Sequence, residues 1–315
     1  MFETRSAEIA DLAAATAVGA CWAQWAALGA PVASPGRPRP SSLVDIEALL
    51  VLSAQAAITE RRLLDLVAWW ARVGSALTSV QRFRTVADAF PPSARERAFV
   101  FAALAEDAGD RRWSRHVDRD AGRPTIREKG VDEPSLAEPT ALWLRLRAGL
   151  GVGAKADTLA YLLGTHGAWA SVRDGARATG YSTVAIRTAT SEMVLAGFVR
   201  ASGDRPLRYA ARPESWAGLL ALAGEPAVAP RWHAWSEIFA FLVGVGDWAD
   251  AVTAPDSPGP HVLASRARDL MERHTTAFAL DQVVVPDPVE FRGLEAVEGL
   301  GETVRAVAAW VEAEL

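Results

Sequence analysis

Apolar residues recur every three or four positions through the first hundred residues, which is the spacing of α-helices that each bury one face. Leu63, Val67 and Trp70 share one face of a helix predicted over residues 60–76. No stretch there shows the alternation of a strand. The pattern predicts an N-terminal helical region over residues 1–106.

The end of the chain has the same helical spacing. Trp235, Leu242 and Val245 form one apolar stripe, and a second runs from Val297 to Val311. These stripes predict a C-terminal helical region over residues 217–315.

A highly charged stretch follows the N-terminal region. Residues 107–133 hold seven basic and seven acidic side chains and few apolar ones. Such a composition is typical of a solvated segment. We therefore expect residues 107–137 to be a charged linker.

Residues 138–216 show a different and more specific order of elements. A short helix is predicted from Lys155 to Leu163. Ser171 and Asp174 have the spacing of a capping box, in which each side chain accepts from the other's backbone amide. The helix that they begin is short, because Gly180 suits the left-handed position that ends a helix.

A longer helix and a hairpin follow. Ser182 or Thr183 can cap a helix that continues to Ala196. Residues 198–201 then alternate, a turn with Gly and Pro follows, and residues 207–211 alternate back, which predicts a β-hairpin.

This order of elements resembles the winged helix-turn-helix domain, in particular bacterial regulators of the MarR and ArsR type. The resemblance is carried by residues 169–174, 178–182, 196–199 and 205–209, with Ile186 and Met193. Thr190 departs from the pattern, because such domains usually place an aliphatic core residue there. The expected fold is mainly α, with helical N- and C-terminal regions flanking a central winged helix-turn-helix domain at 138–216 that carries a small β-hairpin wing.

The resemblance also implies a DNA-binding surface. In this fold the second helix of the pair enters the major groove, and the wing meets flanking phosphate or the minor groove. The implied helix residues are Ser182, Thr183, Arg187, Thr188 and Ser191, and the implied wing residues are Arg200, Arg205 and Arg208. Arg187 is the best candidate for a bidentate contact to guanine.

The charge distribution favours this interpretation. The whole chain has a formal charge of −5, yet residues 138–216 hold ten basic and six acidic side chains, a local charge of +4. The remaining residues therefore carry −9. A positive segment inside an acidic protein is typical of a local nucleic-acid-binding module.

The sequence therefore predicts a sequence-specific regulator of transcription that binds double-stranded DNA, most simply a repressor. Regulators of this type generally act as two-fold dimers. The flanking helices would then serve dimerisation or signal sensing.

An alternative from another class is a protein-interaction adaptor or antitoxin-like protein in which the winged helix is only a scaffold. Its binding surface would be the Trp-rich helices, with Trp69, Trp70, Trp235 and Trp248. These tryptophans are either core residues or part of a dimer interface or an apolar pocket, and the sequence leaves both open.

No catalytic, metal or cofactor site is predicted. Cys21 is the single cysteine, and the five histidines have no metal-ligand spacing. The glycines of residues 149–155 faintly resemble a phosphate loop. Such a loop follows a strand, whereas the residues before these glycines have the pattern of a helix. We interpret this stretch as a turn, and the protein as not an enzyme.

One long uncharged stretch, residues 12–36, raises the question of a membrane span. It is mostly Ala and Gly, and no positive segment precedes it as in a signal peptide. A helix of a soluble protein explains it better than a span, so the expected compartment is the cytoplasm, with no membrane partner.

Overall fold

The computed structural model describes residues 2–31, 40–119, 126, 133–220 and 229–315. Over these residues the chain is mainly helical, with one small antiparallel sheet. The helices are α1 (Phe2–Ala27), α2 (Ile46–Ala56), α3 (Arg62–Val73), α4 (Val80–Ala87), α5 (Pro92–Ala98), α6 (Val100–Asp107), α7 (Leu142–Leu150), α8 (Ala154–Gly164), α9 (Val172–Thr179), α10 (Thr183–Leu195), α11 (Pro213–Leu220), α12 (Trp235–Thr253), α13 (Pro260–Leu280) and α14 (Ala296–Glu314). The strands are β1 (Ala170–Ser171), β2 (Arg200–Ala201) and β3 (Arg208–Ala210).

The N- and C-terminal helices share one hydrophobic core, and we call this unit the helical body. Helix α1 packs mainly against α12 and α14. Ala13, Ala17 and Ala20 lie at its buried face, and small side chains let neighbouring helices approach closely. Residues 12–27 of the uncharged stretch therefore belong to a core helix. Within the described ranges, no helix combines the length and apolarity that a membrane crossing requires.

The conspicuous tryptophans are core residues of the helical body. Trp69, Trp70 and Trp235 have no solvent contact, and Trp248 is only 5% exposed. Trp25 packs against Trp69 and Trp70 with ring centroids 6.1 Å from each. The interpretation of these side chains as an interaction surface is therefore wrong, because they fill the interior of this chain.

Part of the stretch expected to be a charged linker is folded onto the helical body. Residues Arg111–His116 form a short 3₁₀ helix whose Trp113 is fully buried. Its ring lies 4.8 Å from that of Phe101 and 5.3 Å from that of Phe83. One large apolar ring anchors this charged stretch to the helical body, so the prediction of a solvated linker is wrong there. Residues 120–125 and 127–132 lie outside the described residues.

The central segment, which we define as residues 138–216, supplies most of a second core, to which Leu43, Leu220 and Ala229 also belong. Its sheet has the order β1-β3-β2, with both neighbouring pairs antiparallel. Tyr209 of β3 lies opposite Ala170 of β1 on one side and Ala201 of β2 on the other. The predicted hairpin is confirmed, whereas β1 was not predicted, since two residues show no periodicity.

A buried ionic network joins the central segment to the helical body. Its members are Asp45, Glu47 and Arg82 from the body and Arg147 and Asp157 from the central segment, and none of these side chains is more than 3% exposed. Arg147 donates to Glu47 at 2.6 Å and to Asp157 at 2.7 Å. Arg82 donates to both oxygens of Asp45 at 2.6 Å and to Glu47 at 2.7 Å. Glu47 thus bridges the two arginines.

Each charged group in this network contacts at least one group of opposite charge. Burial alone would raise the pKa of Glu47, but the positive charges of Arg147 and Arg82 together lower it below its ordinary value. Trp143 donates its indole N–H to Asp157 at 2.7 Å and lies beneath the guanidinium of Arg82, 4.4 Å away. Three carboxylates and two guanidiniums are thereby held without water, as burial of charge requires.

Replacing Arg147 with Met should destabilise the protein by about 3–5 kcal/mol, because Glu47 and Asp157 would remain buried without their shared cation. The measurement is chemical denaturation followed by circular dichroism. The matched control is Arg95→Ala, which removes an ion pair with Asp88 whose side chains are more than half exposed, and exposed pairs contribute about 0–1 kcal/mol. Equal losses for the two variants would contradict a network essential to the fold.

Candidate nucleic-acid interface

Local capping signals define the pair of helices α9 and α10. Ser171 Oγ accepts from the Asp174 amide at 3.2 Å, and Asp174 accepts from the Ser171 amide at 2.9 Å, which confirms the capping box. Gly180 ends α9 in the left-handed region at φ 74°. Ser182 then caps α10 by accepting from the Ala185 amide at 3.2 Å. The direction of α10 is therefore set by local hydrogen bonds.

The inner face of α10 seats the helix on the second core. Ile186, Ala189, Thr190 and Met193 are buried, and the helix packs against α8 and α9. Thr190 replaces the expected aliphatic residue, and its hydroxyl donates to the Ile186 carbonyl at 2.8 Å. Because this hydroxyl is satisfied within its own helix, the departure leaves α10 firmly seated.

The outer face of α10 is exposed. All five residues predicted on it have exposed side chains: Ser182, Thr183, Arg187, Thr188 and Ser191. The three predicted wing arginines, Arg200, Arg205 and Arg208, are exposed as well. A surface of this kind is physically accessible to a large partner.

Part of this set comes together in one open groove of about 900 Å³, which we call the arginine groove. Arg187 and Ser191 of α10 line one side, and Arg205 and Arg208 of the hairpin line the other. Arg173, near the start of α9, completes the lining cations. Residues of α9, α10 and the hairpin, the most distant of them 35 positions apart in sequence, therefore face one space.

Four predicted residues do not line this groove: Ser182 and Thr183 at the start of α10, Thr188 and Arg200. Thr188 lines a separate depression beside the turn at residues 150–155, where Lys155 and Glu192 form an exposed ion pair at 2.6 Å. Arg200 lies on the other side of the hairpin, with its guanidinium 5.3 Å from the ring of Trp169. The structure thus separates Thr188 and Arg200 from the arginine groove.

The groove is strongly positive. Among the described residues, the guanidiniums of Arg173, Arg187, Arg205 and Arg208 have no carboxylate within ion-pair distance. Asp174 also lines the groove, but its carboxylate accepts from both the amide and the hydroxyl of Ser171. Four cations with no protein partner are thus available to an anionic ligand.

The predicted local charge needs one correction. Arg147 was counted as a surface charge, but it is buried in the ionic network together with Asp157. Removing both leaves nine basic and five acidic side chains in residues 138–216, so the outward charge is still +4.

Sequence reasoning missed Arg173 as a site residue. The signal was present, because the capping box places Arg173 in the first turn of α9, where the helix start faces outward. Its proximity to the hairpin depends on β1, which was not predicted.

Within the described ranges, no three His, Cys, Asp or Glu side chains come together to hold a metal ion. Helix α7 precedes the glycine-rich turn, as predicted, so that turn does not follow a strand. Cys21 is buried, and burial raises the pKa of its thiol to about 12, which keeps it protonated.

Comparisons with known proteins give no match. No protein-family model, curated protein or solved structure is significantly similar to this chain.

Replacing Gly180 with Ala should destabilise the protein by about 1–2 kcal/mol, because a left-handed backbone disfavours a Cβ atom. That Cβ would also lie 3.3 Å from Thr85 Cγ2. Gly203→Ala in the hairpin loop is the control, since it has no left-handed strain and a Cβ there meets no atom within 4 Å. Thermal unfolding of both variants tests this, and equal melting temperatures would show that Gly180 is not required by its conformation.

Proposed function

We propose that this protein is a sequence-specific regulator of transcription that binds double-stranded DNA through α10 and the β2–β3 hairpin. The single observation that carries the proposal is the arginine groove, in which Arg187 on a capped, exposed helix faces Arg205 and Arg208 on the hairpin. Duplex DNA presents a regular array of phosphates beside readable base edges, so a cationic groove next to an exposed helix suits it.

The order of elements supports the same proposal. Helix α8, strand β1, helices α9 and α10, and the two strands of the hairpin follow one another as in a winged helix, and all of these elements except β1 agree with the predicted ones. On this interpretation α10 enters the major groove and the hairpin is the wing. Repression through a two-fold dimer remains the simplest mode of action implied by the resemblance.

The adaptor alternative assigned its binding surface to the Trp-rich helices. The four tryptophans proposed to bind a partner are buried in the helical body.

Arg187→Ala should weaken binding to a preferred duplex by about 1–3 kcal/mol and relax base preference at one position, because it removes a bidentate contact to a base edge. The preferred duplex is first selected from a random pool, and affinities are then measured by fluorescence anisotropy. Arg305→Ala, an exposed arginine on α14, is the matched control and should leave both unchanged. Equal binding of the preferred duplex by wild type and Arg187→Ala would show that Arg187 does not contribute to the interface.

Arg205→Ala and Arg208→Ala should weaken all duplexes alike, because phosphate contacts do not distinguish sequences. Each should reduce the slope of log affinity against log salt concentration by about 1. The measurement is anisotropy over a salt series with a preferred and an unrelated duplex. Salt slopes identical to wild type in both variants would contradict wing contacts, and no duplex affinity in the wild type would overturn the proposed function.

A further inference from the structure

Helix α10 carries an exposed apolar side chain in its first turn, Val184, to which no role has yet been assigned. Val184 is 67% exposed and belongs to neither of the two hydrophobic cores. The residues that the resemblance implies on this helix are all polar and do not include it. Single exposed apolar residues are common on protein surfaces, so the position of Val184 has to show whether it has a role.

Val184 lies near the middle of the outward face of α10. An α-helix turns by about 100° per residue, so residues three, four and seven positions apart share one face. Val184 therefore lies beside Arg187, Thr188 and Ser191, all of which are exposed. The buried residues of α10 lie on the opposite side. One apolar group is thus surrounded by a guanidinium and two hydroxyl groups.

The start of α10 holds Val184 in a fixed place. Ser182 caps the helix by accepting from the Ala185 amide at 3.2 Å, which puts Val184 in the first turn. The hydroxyl of Tyr181, just before the cap, lies 3.1 Å from Ser79 Oγ of the helical body. Valine has one strongly preferred rotamer in a helix. Its two methyl groups therefore project in a defined direction and lose little side-chain entropy when a partner covers them.

The edges of base pairs in the major groove include one group that suits this side chain. Thymine displays a C5 methyl group there, which the other three standard bases lack. Covering that methyl group with an apolar side chain removes both from water. Covering a polar base edge instead would leave a hydrogen-bonding group without a partner. An exposed valine on a DNA-reading helix therefore distinguishes thymine from the other bases.

We propose that Val184 is a specificity-determining residue that packs against the C5 methyl group of a thymine close to the base that Arg187 contacts. This inference rests on the proposed function and deepens it by naming a feature of the preferred sequence. Val184 and Arg187 are about 4.5 Å apart along the helix axis, and successive base pairs are about 3.4 Å apart. The thymine therefore lies within about two base pairs of the base that Arg187 specifies.

Leu195, the last residue of α10, is more exposed than Val184 but lies at the wrong end of the helix. The N-terminal residues of a recognition helix are the ones that contact base edges. Leu195 is about 16 Å further along the axis than Val184. The proposal therefore assigns base contact to Val184 and not to Leu195.

The test replaces thymines of the selected duplex, one at a time, with deoxyuridine, which differs from thymine only in lacking the C5 methyl group. Affinities are measured by fluorescence anisotropy at one salt concentration. The position of the Arg187 contact is known from the base whose preference Arg187→Ala relaxes. At a thymine within two base pairs of it, deoxyuridine should weaken wild-type binding about three- to fivefold, the effect expected for burial of one methyl group.

Three variants show whether Val184 is the group that detects the methyl. Val184→Ala should bind the thymine and deoxyuridine duplexes equally, because its side chain no longer reaches the base. Val184→Ile keeps the branched side chain and should retain the difference. Val262→Ala, the same substitution at a half-exposed valine on α13, should behave like wild type.

A general loss of stability would not mimic this result. Alanine is a better helix former than valine and the position is exposed, so Val184→Ala should keep the circular dichroism spectrum and at least the melting temperature of wild type. A merely structural role of Val184 would also weaken every duplex alike, whereas the proposal predicts loss of one methyl-dependent difference.

A deoxyuridine effect of equal size in Val184→Ala and in wild type would overturn the inference. So would a selected duplex with no thymine in this range, or with none at which deoxyuridine weakens wild-type binding. Each of these results leaves DNA binding itself intact. Absence of duplex affinity in the wild type would instead overturn the proposed function, and the role of Val184 with it.

Discussion

Five buried charged side chains connect the two cores of this protein, and the rest of the architecture depends on their pairing. Glu47 lies at the centre of this network and is shared by Arg82 from the helical body and Arg147 from the central segment. Charges removed from water are tolerated only when they are paired and hydrogen-bonded. The network therefore permits one arrangement of the two parts, the one in which every carboxylate meets its guanidinium.

The network also contacts the turn that precedes α10, the helix whose outer face is exposed. Arg82 donates to the carbonyl of Thr179, one residue before the left-handed Gly180 that turns the chain into α10. Ser79 at the start of α4 lies 3.1 Å from the hydroxyl of Tyr181 on the other side of that turn. The start of the exposed helix is thus held to the helical body on both sides of its turn, which is how a rigid scaffold positions a site on a loop and a short helix.

The arginines discussed above fall into two groups, according to whether their charge is paired within the protein. Arg82 and Arg147 have all their charge matched inside the protein, whereas the arginines of the arginine groove have no carboxylate partner among the described residues. The same residue type therefore stabilises the fold in one place and is available to anions in another. Amino-acid composition does not separate the two groups. They differ in their burial and in their ion-pair partners.

Local signals in the sequence determined the helical class, the capping box at Ser171, the end of α9 at Gly180, the cap at Ser182 and the hairpin, because each depends on residues within a few positions of one another. The exposed face of α10 was predicted through the resemblance to the winged helix-turn-helix domain. What required tertiary structure was contact between distant residues. Asp45 and Asp157 belong to one network although more than a hundred positions separate them. The tryptophans could not be assigned to core or surface until the N- and C-terminal helices were seen to share one core. Arg173 entered the groove only through the pairing of β1 with β3. Side-chain periodicity indicates which face of an element a residue lies on, but not which other element packs against that face. Charge partners, cavities and shared cores all depend on that packing.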